Sequence, residues 1–209
     1  MQSWQEYLRF VVTLTAVLDP FLAVPIFVSA TAGYRARERQ RLARIVTVTV
    51  LLVLAGAALF GDGVLRLLGT SLAAFQVGGG LVLLLMALAM LNAHVGDIRQ
   101  TRAEAREMKE REYTGVVPLA VPLLAGPGAI GTSIIAAQPG GVLHQAALVA
   151  CIALVCALLW VVLHLAQRIA TRLGTTGLNI ATRLLGLLLA AIAIQTMAGG
   201  LRVLFPGLA

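Results

Sequence analysis

One acidic residue, Asp19, stands inside the first long apolar run of the chain, in the segment LDPFLAVP. Pro20 and Pro25 follow it, and each proline removes a backbone N–H and clashes with the preceding helical turn. We therefore expect the backbone to unwind here, which a bilayer tolerates only where the backbone faces protein or a watery cavity. A carboxylate at that depth is costly without a partner, so Asp19 and Pro20 are candidate substrate-binding residues. Two structural roles stay open for Asp19: an N-cap ahead of Pro20, or a partner of Arg183.

A second segment of helix breakers, LLAGPGAIGT, lies in the fourth apolar run. Its glycines let a ligand approach the backbone, and a helix that restarts after the proline presents free N–H groups and a positive dipole end. Such a site suits a small carboxylate. The predicted substrate-binding residues of this segment are Gly126, Pro127, Gly128, Ala129 and Thr132. Close packing of helices through small residues is the alternative.

Three further polar residues inside apolar runs are predicted to bind substrate: Gln76, Arg183 and Gln195. An arginine within a span must pair or extend to the interface, and Arg183 is near enough to a span end for the second option. The two glutamines can line a pore or join helices by hydrogen bonds. The histidines match no metal-ligand spacing, and no HExxH, GxSxG or P-loop motif occurs in the sequence. We therefore expect no catalytic residue, no metal, no cofactor and no enzymatic activity.

The composition indicates which elements position these residues. The chain has 209 residues, a mean hydropathy of +0.92, 59% hydrophobic residues and 12% charged residues. Soluble domains carry about 25% charged residues, so a water-soluble enzyme is excluded. The net charge of +7 comes from fifteen arginines and one lysine, most of them between apolar runs. That distribution is typical of membrane topology signals, and we expect no nucleic-acid partner.

Six apolar runs are long enough to cross a bilayer as helices. They cover residues 7–30, 43–60, 72–94, 115–137, 143–167 and 179–203. Because the runs are continuously apolar and do not alternate, a β-barrel is excluded and an all-α membrane protein with six transmembrane helices is predicted. Basic residues concentrate in loops 1–2, 3–4 and 5–6, so we place these loops in the cytoplasm and both termini outside the inner (plasma) membrane. For the arginine-rich loop 1–2, binding of anionic membrane lipids is the alternative to topological anchoring.

A shift of 107 residues places the first three runs on the last three, with Pro20 on Pro127 and Gly79 on Gly186. Since each half has an odd number of spans, the halves must have opposite orientations in the membrane. We predict two inverted three-helix repeats, 1–94 and 113–209, joined by a charged cytoplasmic linker, 95–112, in one membrane domain with broken helices 1 and 4. Breakers at matching positions of inverted repeats are typical of secondary transporters, whose site lies at the repeat interface. Unrelated prolines in two membrane helices are the alternative.

Four segments carry a resemblance to a known family: DPFLAVPIF, AAFQVGGGLVLLLMAL, VPLAVPLLAGPGAIGT and TRLLGLLLAAIAIQ. They resemble the signature segments of the MarC family of six-span inner-membrane proteins, over nearly the whole chain. The resemblance implies kinship with transporters of small neutral amino acids such as glycine and alanine. Three positions depart from the family pattern: Leu22, usually glycine, Ala23, usually polar, and Gln76, often arginine.

The function predicted from these observations is secondary transport of a small neutral amino acid, by export or exchange, coupled to H⁺ or Na⁺. Efflux of other small metabolites or drugs on the same scaffold is one alternative, although the aromatic content of 5% disfavours a wide aromatic-lined cavity. A non-transporting membrane scaffold is another alternative. A homo-oligomer is compatible with the sequence.

Overall fold

A computed structural model describes residues 4–31, 33–92, 124–138 and 141–208 of the chain. These residues form α1 (Trp4–Leu18), α2 (Pro20–Ala30), α3 (Ala36–Leu67), α4 (Leu72–Leu91), α5 (Pro127–Ala136), α6 (Val142–His164) and α7 (Ala166–Leu204), followed by a 3-10 turn (Pro206–Leu208). No strand occurs in the described part, so the predicted all-α class is confirmed. The predicted linker 95–112 and the first part of the fourth span lie outside the described residues.

Five segments have the length and hydropathy needed to cross a membrane. They are Trp4–Ala30, which comprises α1 and α2, and the helices Ala36–Leu67, Leu72–Leu91, Val142–His164 and Ala166–Leu204. Large apolar side chains cover their outer faces; Leu52 and Leu184, for example, are 67% and 64% exposed. Such surfaces need an apolar solvent, since transfer of apolar area from water favours burial by about 25 cal/mol per Å². The helices therefore have the surface of membrane spans.

Two helices extend further than the sequence indicated. α3 includes the arginine-rich segment and also Gly61 to Arg66, which the sequence suggested was a link between spans. Gly61 packs against the side chain of Ile134 of α5, and a larger residue would not fit there. α7 begins at Ala166 rather than near residue 179, and Gly174 interrupts its helical backbone with φ 62° and ψ −178°. Glycine takes this positive φ without the steric penalty of a Cβ atom, so a kink replaces the predicted loop.

The helices of the first half pack mainly on those of the second half. α1 and α2 contact α6 and α7, α5 contacts α3 and α4, α3 packs on α6, and α4 packs most extensively on α7. The contacts are symmetric between the halves. When the first span is exchanged with the fourth, the second with the fifth and the third with the sixth, the same set of contacts results. The pattern is the one expected from a two-fold relation between the halves, and the inverted repeat itself stays a prediction.

Contacts at the two ends of the bundle group the loops. At one end, the Tyr7 hydroxyl lies 2.9 Å from His144 Nδ1, His144 Nε2 lies 2.9 Å from the carbonyl oxygen of Ala136, and the Gln138 amide donates to Asp62. The N-terminus and the connections after α3 and α5 therefore share this end. At the other end, the connection between α2 and α3 lies beside the α6–α7 junction. This is the grouping that six crossings require, and the assignment of the arginine-rich end to the cytoplasm stays a prediction.

Candidate functional site

Asp19 lies at a break in the first span and has 0% exposure. α1 ends at Leu18, where the Asp19 N–H donates to the Thr15 carbonyl, and α2 begins at Pro20. Proline disfavours the α-helical conformation for the residue before it, and Asp19 instead takes a left-handed conformation with φ 43° and ψ 73°. It is the one non-glycine residue with positive φ among those described. Aspartate is among the few residues that tolerate this region.

The Asp19 carboxylate caps the second half of the broken span. Its Oδ1 accepts a hydrogen bond of 3.2 Å from the backbone N–H of Leu22, in the first turn of α2. Such a cap satisfies one of the N–H groups that have no acceptor within the helix. The N-cap role considered from the sequence is therefore present in the structure, beside any role in substrate binding.

Thr182 of α7, not Arg183, faces Asp19. The Thr182 hydroxyl lies 3.5 Å from Asp19 Oδ1 and is buried, whereas Arg183 is exposed. The prediction that Arg183 lies in the site, or partners Asp19, is therefore not supported by its position. Helical spacing accounts for the difference: the buried residues of this stretch recur every three or four positions, and Thr182 shares their face. They are Leu178, Thr182, Gly186, Leu189 and Ala193.

The start of α5 packs against the end of α1. Gly126 precedes the helix, Pro127 is its first residue and is exposed, and Gly128 and Ala129 are buried. A Cβ atom at Gly128 would lie 3.4 Å from Val17 Cγ1, so this helix start reaches a point two residues before Asp19. The two breakers that the 107-residue shift aligned therefore lie close together in space.

Gly128 is enclosed by side chains. Besides Val17, a Cβ atom there would lie 2.7 Å from Met86 Sδ and 3.1 Å from Leu83 Cδ2 of α4. Close helix packing, the alternative considered from the sequence, therefore describes Gly128 in this conformation. A ligand could approach the backbone of Gly128 only after α1 and α4 had moved away from α5.

The hydroxyl groups of α5 are bonded to their own helix. Thr132 Oγ1 donates to the Gly128 carbonyl at 2.8 Å, and Ser133 Oγ donates to the Ala129 carbonyl at 2.9 Å. Both residues are buried. Their hydroxyl protons are thus used within the helix, and only the oxygen lone pairs are available to a ligand. Ser133 was not among the predicted residues, because a serine in an apolar helix has no distinguishing sequence signal.

Gln76 and Gln195 lie away from Asp19. Because α4 and α7 run antiparallel, Gln76 lies beside Gly200, eighteen residues beyond Thr182 and about 27 Å along the same helix. Gln195 is exposed, thirteen residues or about 20 Å beyond Thr182. The described conformation therefore does not bring these two predicted residues to the site.

Two half-length helices begin near the same level and run to opposite ends of the bundle. α2 runs from Asp19 to the arginine-rich end, where Phe27 contributes to a cleft. α5 runs from Gly126 to the other end, where the Ala136 carbonyl lies beside His144. Both helices thus direct their N-terminal, positive dipole ends towards the middle of the bundle, where the Asp19 carboxylate lies.

The region beside the break is closed. Between α1, α2 and α6, a narrow apolar void lined in part by Thr15, Pro20 and Leu158 has no room for a water molecule. Asp19 itself is fully buried, so a substrate could reach it only if helices separated.

Comparison with known proteins places the chain in a family. Residues 4–205 match the model described as "MarC family integral membrane protein". The chain is 33% identical to "UPF0056 membrane protein YhcE" of Escherichia coli (strain K12), over 97% of this chain and 94% of that protein. It is 36% identical to "UPF0056 membrane protein YvbG" of Bacillus subtilis (strain 168), over 93% of each. It is 35% identical to "UPF0056 membrane protein MJ1677" of Methanocaldococcus jannaschii, over 91% of this chain and 93% of that one.

No solved structure matches the chain. The match to the family model over nearly all residues and the length shared with these relatives confirm the resemblance found in the four signature segments. Together with five apolar helical segments of spanning length, they show a multi-pass integral membrane protein. The chain belongs to the MarC family of integral membrane proteins.

Proposed function

We propose that this protein is an inner-membrane secondary transporter that exports or exchanges small neutral amino acids, with Asp19 at the centre of its substrate site. The observation that carries the proposal is the fully buried Asp19 carboxylate at the break between α1 and α2. A carboxylate deep in a membrane span is energetically costly, and residues of this kind commonly mark ion or substrate pathways.

The chemistry around the break suits a zwitterion. The Asp19 carboxylate can attract an ammonium group, and the start of α5 can attract a carboxylate, because N–H groups in a first helical turn have no acceptor within the helix. Gly128 and Ala129 supply such N–H groups close to Val17, two residues before Asp19. A substrate with both charges on one carbon would therefore be complementary to the two breakers at once.

The packing around Gly128 favours a small substrate and requires movement. Val17, Leu83 and Met86 occupy the space that a ligand would need. In transporters built from inverted repeats, one repeat rocks against the other and opens the shared site to alternate sides. A relative movement of α1 and α5 would separate Val17 from Gly128 and open a space between the two helix starts. Small solutes would need the least separation.

For energy coupling, the residues favour H⁺ over Na⁺. Asp19 is the one acidic residue that the sequence places deep within a span, and a sodium site commonly uses several oxygen ligands. In this proposal the Asp19 carboxylate exchanges a proton for the substrate ammonium. Sodium held by Asp19 and unwound backbone carbonyls is the alternative that the experiment distinguishes.

Two other functions make different predictions. An efflux protein for other small metabolites or drugs would show counterflow with those compounds and not with amino acids. A membrane scaffold would have its interior filled by side chains in every state, and the close packing at Gly128 is the observation that favours it.

Proteoliposomes containing the purified protein test the proposal. Uptake and counterflow of radiolabelled alanine, glycine and serine are measured under an imposed pH gradient and, separately, a sodium gradient. Asp19→Asn keeps the size of the side chain but cannot ionise, so gradient-driven accumulation should fall to background while exchange persists. Asp62→Asn is the matched control, because Asp62 pairs with the exposed Arg66 at the end of the bundle, 2.8 Å away.

Three results would count against the proposal. Lack of counterflow of all three amino acids with the unchanged protein would exclude this substrate class. Accumulation by Asp19→Asn at the level of the unchanged protein would show that the carboxylate is only structural. Accumulation that follows the sodium gradient alone would show that Na⁺, and not H⁺, is the coupling ion.

A further inference from the structure

A second polar region lies at the arginine-rich end of the bundle, far from the Gly128 contact. There the end of α2, the start of α3 and the junction of α6 and α7 enclose a cavity of about 280 Å³. Its floor is apolar and includes Phe27 and Leu163, both buried. Its polar lining includes Arg39, which is partly buried, and Arg168, which is exposed at the rim.

Arg39 differs from the other arginines of its segment. It is partly buried, whereas its neighbours are exposed; these are Arg35, Arg37, Arg41 and Arg44. A topology signal needs only exposed charge near the end of a span, so the inward position of Arg39 requires another explanation. Within the described residues, neither Arg39 nor Arg168 forms an ion pair. The nearest carboxylate in sequence, Glu38, accepts a 2.7 Å hydrogen bond from the Arg35 N–H.

The positive charge of the cavity comes from these guanidinium groups. Two helices end at the cavity, α2 and α6, and two begin there, α3 and α7, so the helix dipoles largely cancel. Two guanidiniums then leave a net positive site, and a planar guanidinium matches the oxygen atoms of a phosphate in a bidentate geometry.

The surroundings indicate a lipid rather than a soluble anion. Trp160 lies one turn before His164, which lines the cavity, and the two rings are 5.3 Å apart. Trp160 is 38% exposed, and tryptophan is enriched at the level of the lipid headgroups. Beside Trp160 and over the two preceding turns, α6 also exposes the apolar side chains of Leu154, Leu158 and Val161, which suit contact with acyl chains. The volume is at the small end for ligand sites, so it suits a headgroup rather than a whole drug-sized molecule.

We propose that this cavity binds the phosphodiester headgroup of an anionic phospholipid of the cytoplasmic leaflet, with Arg39 and Arg168 contacting the phosphate and the acyl chains lying along α6. The site is independent of the transport site proposed above. In this proposal, two specified side chains on different helices hold the lipid, rather than a diffuse attraction by the whole arginine-rich segment.

Quenching of Trp160 fluorescence tests this site directly. The chain has two tryptophans, so Trp4→Phe leaves Trp160 as the single reporter. The protein is reconstituted in phosphatidylcholine containing increasing fractions of phosphatidylglycerol with brominated acyl chains, and brominated phosphatidylcholine serves as the reference lipid. Phosphatidylglycerol should quench at lower mole fractions than phosphatidylcholine. A basic residue near an anionic surface contributes about 1 kcal/mol, so loss of one guanidinium should reduce this preference about 5-fold.

A matched pair of variants separates the cavity from surface charge. Arg39→Gln/Arg168→Gln should abolish most of the preference for phosphatidylglycerol. Arg37→Gln/Arg172→Gln removes the same charge from exposed positions that do not line the cavity and should keep it. Circular dichroism and gel filtration confirm that both proteins are folded.

Three outcomes would overturn the proposal. Equal quenching by the two lipids would exclude headgroup selectivity. Equal losses in the two double variants would assign the effect to diffuse charge. Relief of quenching by millimolar inorganic phosphate would show that the site takes a soluble anion, because a lipid anchored by its chains should resist that competitor.

Discussion

At the scale of single residues, Asp19 combines a backbone role with a chemical one. Its left-handed conformation lets α1 end and α2 begin within one residue, and its Oδ1 caps α2 through the Leu22 N–H. Neither role requires a negative charge, since asparagine also tolerates the left-handed region and also caps helices. The backbone role can therefore be kept while the charge is removed.

Substitutions at Asp19 should separate the two roles. Asp19→Ala loses the cap, at a cost of about 0.5–2 kcal/mol, and places a Cβ residue without a local hydrogen bond in the left-handed region, at about 1–2 kcal/mol. Asp19→Asn keeps both features and should unfold at a temperature close to that of the unchanged protein. Asp19→Gly also loses the cap, but glycine adopts the left-handed conformation without strain. Its unfolding temperature should therefore fall between those of the other two variants. Thermal unfolding in detergent measures the order.

If Asp19→Asn were as unstable as Asp19→Ala, the ionised carboxylate itself would hold the break together. Loss of transport in Asp19→Asn could then reflect folding, and the transport result would need a variant at Thr182 to interpret it. Thr182→Val removes the hydroxyl that lies 3.5 Å from Asp19 Oδ1 and keeps the shape of the side chain.

At the scale of elements, the α4–α7 interface is the most extensive contact between the two halves, and glycines let the helices approach. Gly80 of α4 faces Met197, and Gly186 of α7 faces Met90. A Cβ atom at Gly200 would lie 2.6 Å from the carbonyl oxygen of Ala73, a backbone atom that cannot rotate away. In a bilayer, where lipid tails are as apolar as leucine, such close packing through small residues is a main source of helix association.

Gly200 and Gly199 provide a matched test of this interface. Gly200→Ala should destabilise the protein by about 1–3 kcal/mol, because α4 and α7 must move apart to admit the methyl group. Gly199→Ala has no atom within 4 Å of its new Cβ and should be neutral or stabilising by up to ~1 kcal/mol from helix propensity. Unfolding in a mixed detergent series measures both. Equal stabilities would mean that the two helices do not pack at this distance.

At the scale of the whole molecule, contacts at each end assemble loops that are distant in sequence. The Tyr7–His144 and Gln138–Asp62 hydrogen bonds tie the N-terminus to the connections after α3 and α5 at the end with few arginines. The other end combines the start of α3 with the α6–α7 junction. Two groups of loops at opposite ends of the bundle are what a multi-pass integral membrane protein requires.

Cysteine labelling tests which side each group faces. In a protein with Cys151 and Cys156 replaced by alanine, Thr70→Cys should react with a membrane-impermeant maleimide in intact cells. Arg37→Cys should react only after the cells are permeabilised, since the positive-inside rule places the arginine-rich end in the cytoplasm. Both positions are exposed in the structure, so lack of labelling reports the membrane barrier rather than burial. The opposite pattern would reverse the predicted topology.

The sequence by itself determined the all-helical membrane class and indicated the interruption before Pro20. Pro25, which was also expected to unwind the backbone, instead lies inside α2 without ending it. Continuous apolar runs specify membrane helices because a bilayer leaves the backbone no other way to satisfy its hydrogen bonds in a single segment. Prolines act within one turn of chain, so the interruption after Leu18 and the helix start at Pro127 followed from local sequence. The signature segments were sufficient to indicate the family.

Only the tertiary structure decided which side of each helix is buried. In a soluble protein the apolar face marks the interior, but lipid and protein core are equally apolar, so hydropathy does not distinguish the two faces of a membrane helix. For that reason the sequence favoured the charged Arg183, whereas the structure turns its neighbour Thr182 towards Asp19. The antiparallel packing of α4 on α7 likewise separates Gln76 from that site, and the approach of α1 and α4 to α5 encloses Gly128. Each of these outcomes depends on how distant helices meet, which no local pattern encodes.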